Sequence, residues 1–340
     1  MMKGWTSASG VYLIAEIGGN HEGDFEYATE LTALACSSGV DAVKFQIYTG
    51  DSLVSPVEDF DRNHHFKRFE LTPDQHISLA RQCKKEGVSY LASVWNPEVI
   101  KWIDPWLEFY KIGSGDLTAW PMIQAISAIG KPIVLSTGLA SLGEIIETVE
   151  YLQSMNKMYK DPKNLALLQC TSMYPIADSD VNLRVMDTMR HEFGVAVGYS
   201  DHTVGTMAVE TAVAMGAEII EMHFTDDRSG KNFRDHQVSF TKDEIIQLIA
   251  KIKKIKTLQG TGNKQPLPVE IDAGHVKSFR RAVYPARALP EGTILSKDDL
   301  TILRPNIGID ARMFESLLGR QIRTAKDQFV KMDWDDLVDE

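Results

Sequence analysis

Hydrophobic and polar positions keep one rhythm for three quarters of the chain and then lose it. From residue 11 to about 258, short β-branched runs alternate with helix-length amphipathic segments. Eight runs stand out: Tyr12 to Ile17, Ala42 to Ile47, Ser89 to Val94, Phe109 to Ile112, Ile133 to Ser136, Leu165 to Cys170, Ala196 to Tyr199 and Ile219 to His223. Strands alternating with helices over roughly 250 residues predict an α/β fold with a parallel sheet closed into a (β/α)8 TIM barrel. A doubly wound open sheet would want a glycine-rich dinucleotide turn after the first strand. The turn here reads EIGGNHEG, a poor match. After Lys256 the alternation stops. GTGNKQPLPVE is rich in Gly, Pro and polar residues and reads as a linker, and beyond it short apolar pairs are broken by turn signals. The expected organisation is a barrel over 1–260, a linker over 261–277 and a small second domain over 278–340.

Composition narrows the function classes. A chain of 340 residues fits one large barrel plus an appendage, and 44% apolar with 24% charged residues is ordinary for a globular protein. No apolar run approaches the ~20 residues that span a bilayer. The start, MMKGWTSASG, lacks the apolar core of a signal peptide, so a cytoplasmic protein without membrane partners is expected. Cys36, Cys83 and Cys170 show no paired spacing, which points to reduced, buried thiols rather than a disulfide or thiolate metal site. A net charge of −11 argues against nucleic acid as a partner. It leaves room for an anionic small molecule, because lysines in a cleft dominate locally.

Barrel chemistry sits at the carboxyl ends of the strands. Those ends carry Glu16, Lys44 and Gln46, then Lys111, Ser114 and Asp116, then Ser136, Thr137, Gln169, Thr171, Ser172 and Tyr174. The seventh and eighth runs lead into GYSDHT and EMHFT, with a helix-length segment, Val204 to Gly216, between them. A right-handed crossover makes those two strands neighbours. His202 and His223, with Ser200, Asp201 and Glu221 beside them, then converge at one end, where two imidazoles can hold a divalent ion and leave positions open for substrate and water. Each histidine alone would read as a turn or strand cap. Lys44 and Lys111 lie in apolar runs, where a lysine costs desolvation unless an anion pairs with it. That anion is either an internal partner, Glu16 or Asp116, or a bound phosphate and carboxylate that Ser114, Ser136 and Ser200 would also serve. The loop with Arg234, Asp235 and His236 either reads a polyhydroxylated substrate or is a solvated loop. His64 and His65 read as surface residues in an exposed loop, and His76, His191 and His275 carry no assigned role.

Taken in order, AEIGGNHEG, VKFQ, KIGSGD, GKPIVLSTG, CTSMYP, GYSDHT, EMHFT and RPNIGI resemble the sialic acid (N-acetylneuraminate) synthases and related nonulosonic acid synthases. The resemblance implies a metal-dependent barrel that condenses phosphoenolpyruvate with an N-acylated aldose such as N-acetylmannosamine and releases phosphate. It implies a C-terminal antifreeze-like (SAF, β-clip-like) domain packed across a domain-swapped homodimer, with Arg304 lent to the partner's site. It places Mn2+ or Mg2+ on His202 and His223, and phosphoenolpyruvate on Lys44, Lys111, Ser114, Ser136, Ser172 and Ser200. Sugar contacts fall on Gln46, Tyr174 and Asp235, Glu16 becomes an acid near the metal, and Asp116 a candidate proton shuttle. Asp116, Ser172, Trp95 and the Phe233-Arg234 pair depart from the commonest family pattern. A heptulosonate- or octulosonate-type synthase with a phosphorylated acceptor is the related alternative. A non-catalytic carbohydrate- or ice-binding protein is the distant one.

Overall fold

Eight parallel strands close on themselves in sequence order in a computed structural model that describes Trp5 and residues 7–338. They are β1 (Tyr12–Gly18), β2 (Ala42–Ile47), β3 (Ser89–Val94), β4 (Tyr110–Ile112), β5 (Ile133–Ser136), β6 (Leu165–Cys170), β7 (Ala196–Asp201) and β8 (Ile219–His223). Strands covered by helices outside and side chains inside need apolar residues on both faces, which is why they read as near-continuous apolar runs.

The period of two along each strand sorts those residues into two layers. Val43, Phe45, Ile47, Tyr90, Ala92 and Val94 belong to the large core shared with the surrounding helices. Tyr12, Ile14, Ala42, Leu91, Phe109, Val134, Ala166, Leu168, Ala196 and Ile219 form a separate cluster in the bore, with Trp5 stacked edge-on at 5.3 Å from Phe109. Burying each large side chain of this kind contributes about 1.5–3 kcal/mol. Two residues further along several of the same strands, the inward position is filled by Glu16, Lys44, Ser93, Lys111, Ser136 or Glu221, and four residues beyond Ala196 by Ser200, all buried. The bore is apolar at one end and charged at the other.

Between β2 and β3 the chain adds two helices, Gly50–Leu53 and Phe60–Arg68, ahead of the expected one at Pro73–Lys85. His64 and His65 therefore lie on a helix, not in the loop the sequence suggested. The Asp59 side chain caps it by accepting from the Arg62 amide, and His65, Lys67 and Arg68 in its last turn complement the dipole. Only Asn63 of that helix is buried, so it lacks the apolar stripe that announces a helix. The helix between β7 and β8 is shorter than its pattern, Met207–Ala214. All three cysteines are free; Cys83 and Cys170 are buried as expected, but Cys36 is only half-buried, with its Sγ 4.0 Å from that of Cys83.

The chain divides at Gly260/Thr261 into two compact units. In the second, the antiparallel pair β9 (Ala282–Pro285) and β10 (Leu300–Leu303) shares a small core of Val283, Leu289, Leu295, Leu300, Ile309, Leu317, Ile322, Met332 and Leu337. Short helices at Pro268–Asp272 and His275–Ser278 precede it. Among the described residues, no helix is long and apolar enough to cross a membrane.

Candidate active site

Strand register sets the site. Glu16 stands opposite Lys44 on one side and His223 on the other, Ser200 opposite Glu221, and Ser93 opposite Lys111. Lys44 Nζ lies 2.7 Å from Glu16 Oε2, 3.8 Å from Glu221 Oε2 and 3.2 Å from Ser93 Oγ. Lys111 Nζ lies 3.2 Å from Glu221 Oε1, which also accepts from Ser200 Oγ at 3.0 Å. Gln46 Nε2 donates to Glu16 Oε1 at 2.9 Å. The sequence offered Glu16 or Asp116 as internal partners. Glu16 is one, whereas Lys111 pairs with Glu221 because β8 delivers that carboxylate into the bore.

Each buried ion costs several kcal/mol of lost hydration, so two ammonium groups persist here only against two carboxylates. Burial alone would lower the Lys44 pKa, but Glu16 and Glu221 outweigh it and hold it above the usual lysine range. Burial likewise opposes ionisation of Glu221, and the two lysines overcome it, holding that carboxyl below its usual range. Asp116 has no ion-pair partner among the described residues. Burial raises its pKa, with Trp95 and Lys111 only partly offsetting the effect.

His202 follows β7 and His223 ends β8, with ring centroids 5.3 Å apart. His202 Nδ1 is 2.7 Å from the Thr171 carbonyl, which can only accept. The proton is thereby assigned to Nδ1 and the lone pair to Nε2, the arrangement a metal-ligating imidazole needs. Burial, reinforced by His223, lowers the His202 pKa to about 3, so the ring is neutral. Tyr174 packs against His202 at 4.0 Å and presents its edge to His223 at 5.5 Å.

Several polar atoms at this end are buried without a hydrogen-bond partner among the described residues: Ser136 Oγ, Glu221 Oε2 and His223 Nδ1. Asp235 Oδ2 is 3.9 Å from His223 Nδ1, too far for a hydrogen bond. Orphaned buried groups gathered at one mouth mark where a ligand or ion completes the structure. Among the described residues no three His, Cys, Asp or Glu side chains converge as a metal cluster. Two imidazoles therefore suit a hard ion that takes its remaining ligands from substrate and water, and not a closed four-ligand cage.

Ser114 and Ser172 reach the same place from the loops after β4 and β6, on either side of β5. The Gly138 amide donates to Ser114 Oγ at 3.0 Å, and a Cβ at Gly138 would lie 2.5 Å from Ser172 Oγ and 2.8 Å from Ser114 Oγ. Only glycine lets both hydroxyls close in.

The loop after β8 is partly built in, not simply solvated. Asp235 and His236 are buried, and His236 bonds Thr225 Oγ1 at 2.7 Å and Glu22 Oε1 at 3.3 Å, tying this loop to the one after β1. Asn20 Nδ2 donates to Phe224 O and Ser239 Oγ, 2.8 Å each, and Ser239 Oγ in turn donates to Asp235 O. Sequence reasoning missed Asn20 as the support of this loop, and noticed Glu221 without its role as the hub of both lysines. Inward parity with His223 was the available signal for Glu221; nothing local signals Asn20. Arg304 lies in the second unit, exposed, its guanidinium 5.6 Å from the Phe279 ring centroid.

The chain matches the NeuB family over residues 31–264 and the SAF domain over residues 280–329. It is 34% identical over 329 residues to the N,N'-diacetyllegionaminic acid synthase of Legionella pneumophila, covering 92% of this chain and 90% of that one. To the human N-acetylneuraminate-9-phosphate synthase it is 30% identical over 304 residues, covering 86% and 82%. The crystal structure of an N-acetylneuraminic acid synthetase from Leptospira borgpetersenii superposes with a TM-score of 0.72 at 28% identity, covering 78% of this chain and 90% of that one.

Proposed function

We propose that this chain, which belongs to the NeuB family and is a nonulosonic acid synthase, condenses phosphoenolpyruvate with an N-acylated amino sugar in its open aldehyde form. Carbon 3 of phosphoenolpyruvate bonds to the aldehyde carbon, water adds at carbon 2, and phosphate leaves with C–O cleavage. The observation that carries this reading is one mouth holding two buried ammonium groups, a Ser136 hydroxyl unpartnered among the described residues and a pair of adjacent imidazoles.

In this reading Lys44 and Lys111 hold the carboxylate and phosphate, with the hydroxyls of Ser114, Ser136, Ser172 and Ser200 as neutral donors. His202 and His223 would hold a divalent ion, Mn2+ or Mg2+, which when bound polarises the acceptor's carbonyl oxygen. Gln46, Tyr174 and Asp235 orient the acceptor, and fixed alignment of the two carbons supplies much of the acceleration. Asp116, whose pKa burial raises, and Glu16 would hold or pass the protons that water and the new hydroxyl exchange.

The test is release of inorganic phosphate by the purified protein. Release should require phosphoenolpyruvate, a divalent ion and an N-acyl hexosamine together, stop on chelation, and fall about a thousandfold in His202→Ala. Release without any aldose, or unchanged by that substitution, would overturn the reading.

A further inference from the structure

The outer edge of the same mouth has a charge that the site as described does not use. Arg234 stacks its guanidinium 4.7 Å from the Tyr174 ring centroid, and Tyr174 in turn packs against His202 at 4.0 Å. The arginine Nε is 3.2 Å from Asp235 Oδ1, and this single contact is the only hydrogen bond or ion pair its side chain makes among the described residues. Both Nη groups of the fork are left for something else, on a side chain 66% exposed. Arg68, at the end of the helix Phe60–Arg68, is exposed and has no carboxylate partner among the described residues. Between them stands His65, packed on Phe69 at 4.4 Å and stacked on Phe233 at 5.9 Å. Arg68 and Arg234 both act on that imidazole, adding to partial burial in lowering its pKa.

Two exposed arginines that share a single carboxylate contact at one edge are out of keeping with a chain of net charge −11. A protein that only needed to solvate this loop would neutralise them with the acids it has in excess. An arginine already braced by an aromatic face and by one carboxylate oxygen has lost side-chain freedom before any ligand arrives, so its open fork is pre-organised for a planar or tetrahedral oxyanion.

We propose that Arg234 is a specificity-determining residue that binds an anionic group, carboxylate or phosphate, on the end of the acceptor remote from its aldehyde, with Arg68 adding long-range attraction. This rests on the synthase reading above, which puts the aldehyde beside the imidazoles. The acceptor's open chain then runs outward past Tyr174 and ends beneath the guanidinium. A terminal carboxylate would meet the fork with two parallel hydrogen bonds, and a phosphate would do so with a further oxygen left to water.

Phosphate release from phosphoenolpyruvate is measured with three acceptors: N-acetylmannosamine, its 6-phosphate and the corresponding 6-uronate. At low ionic strength kcat/KM should favour at least one of the charged acceptors over the neutral one by about 10- to 100-fold, the worth of a charge-assisted pair. Which of the two wins identifies the anion. Arg234→Ala should collapse the ratio of charged to neutral acceptor, Arg234→Lys should restore part of it, and Arg68→Ala should halve it or more through KM in a salt-sensitive way. Equal use of neutral and charged acceptors, or a ratio unmoved by Arg234→Ala, would overturn this inference and leave the synthase reading intact. No phosphate release with any acceptor would remove the synthase reading and this inference with it.

Discussion

The floor of the mouth and its rim are built by opposite means. On the floor, Glu16, Lys44, Lys111, Ser136, Ser200 and Glu221 project from strands and are almost wholly buried. Their charges are balanced pairwise, and their positions follow from strand register. On the rim, Tyr174, Phe233 and Arg234 come from loops, and His65 and Arg68 from a helix inserted between β2 and β3. There the positive charge is met by one carboxylate, Asp235, and most contacts are between ring faces. A floor of this kind is costly to alter and suited to chemistry common to a family. A rim of this kind can change without unfolding the barrel, which suits it to choosing the acceptor.

The largest effect expected from breaking that contrast is on the floor. Lys111→Met leaves Glu221 with only the more distant Lys44 ammonium and Ser200. Removing one partner of a buried pair costs about 3–5 kcal/mol, and in a unit of this size each kcal/mol moves the midpoint by roughly 2–4 °C. Thermal melts should show that loss, and phosphoenolpyruvate should no longer raise the melting temperature of the variant. A melt within 2–3 °C of the parent would show the pair to be solvated and the floor misread.

Acid should separate the two regions with a smaller effect. Burial holds His21 at about 4 and His76 at about 3, below the 6.5 of an unfolded histidine. Between those values the unfolded chain binds protons that the native chain refuses. Stability from these rings is therefore complete above about pH 6.5 and drains away as pH falls toward 3–4. His76, which bonds the Tyr90 hydroxyl at 2.9 Å and packs edge-on to Phe45 of β2, ties the outer layer to the strand that carries Lys44. Denaturant melts at pH 7.5 and 5.5 should differ by about 2–3 kcal/mol, and His76→Gln should narrow the gap. A gap unchanged in that variant would remove His76 from the account.

The strands were legible because each is a short apolar run, and their ends fall within two residues of the pattern: β4 begins at Tyr110 instead of Phe109, and β7 runs on to Asp201. The rule that barrel chemistry lies at the carboxyl ends of the strands then placed Lys44, Lys111, His202 and His223 at one end without any structure. What the pattern could not supply was partner choice across the bore. Lys111 could as well have met Asp116, the next acid along the chain, and only closure of the barrel brings Glu221 to it. The helix Phe60–Arg68 was hidden for a different reason: it is polar nearly all round, so its position is set by an Asp59 cap and by aromatic contacts rather than by a buried stripe.

The smallest effect sought is on the rim, where it discriminates best. Phe233 packs on Phe69 at 5.0 Å and on His65 at 5.9 Å, and its ring lies 3.1 Å from where a Cβ at Gly19 would stand. It holds the backbone from which Arg234 and Asp235 project. Phe233→Ala should cost about 1–2 kcal/mol of stability, since the ring is only partly buried and an aromatic pair is worth about 0.5–1.5 kcal/mol beyond its area. If rim and floor are separate in function as they are in construction, the substitution raises KM for the acceptor several-fold and leaves KM for phosphoenolpyruvate within twofold. A matching rise in both constants would mean that the loop after β8 shapes the whole mouth, and the division between a shared floor and a selective rim would fall.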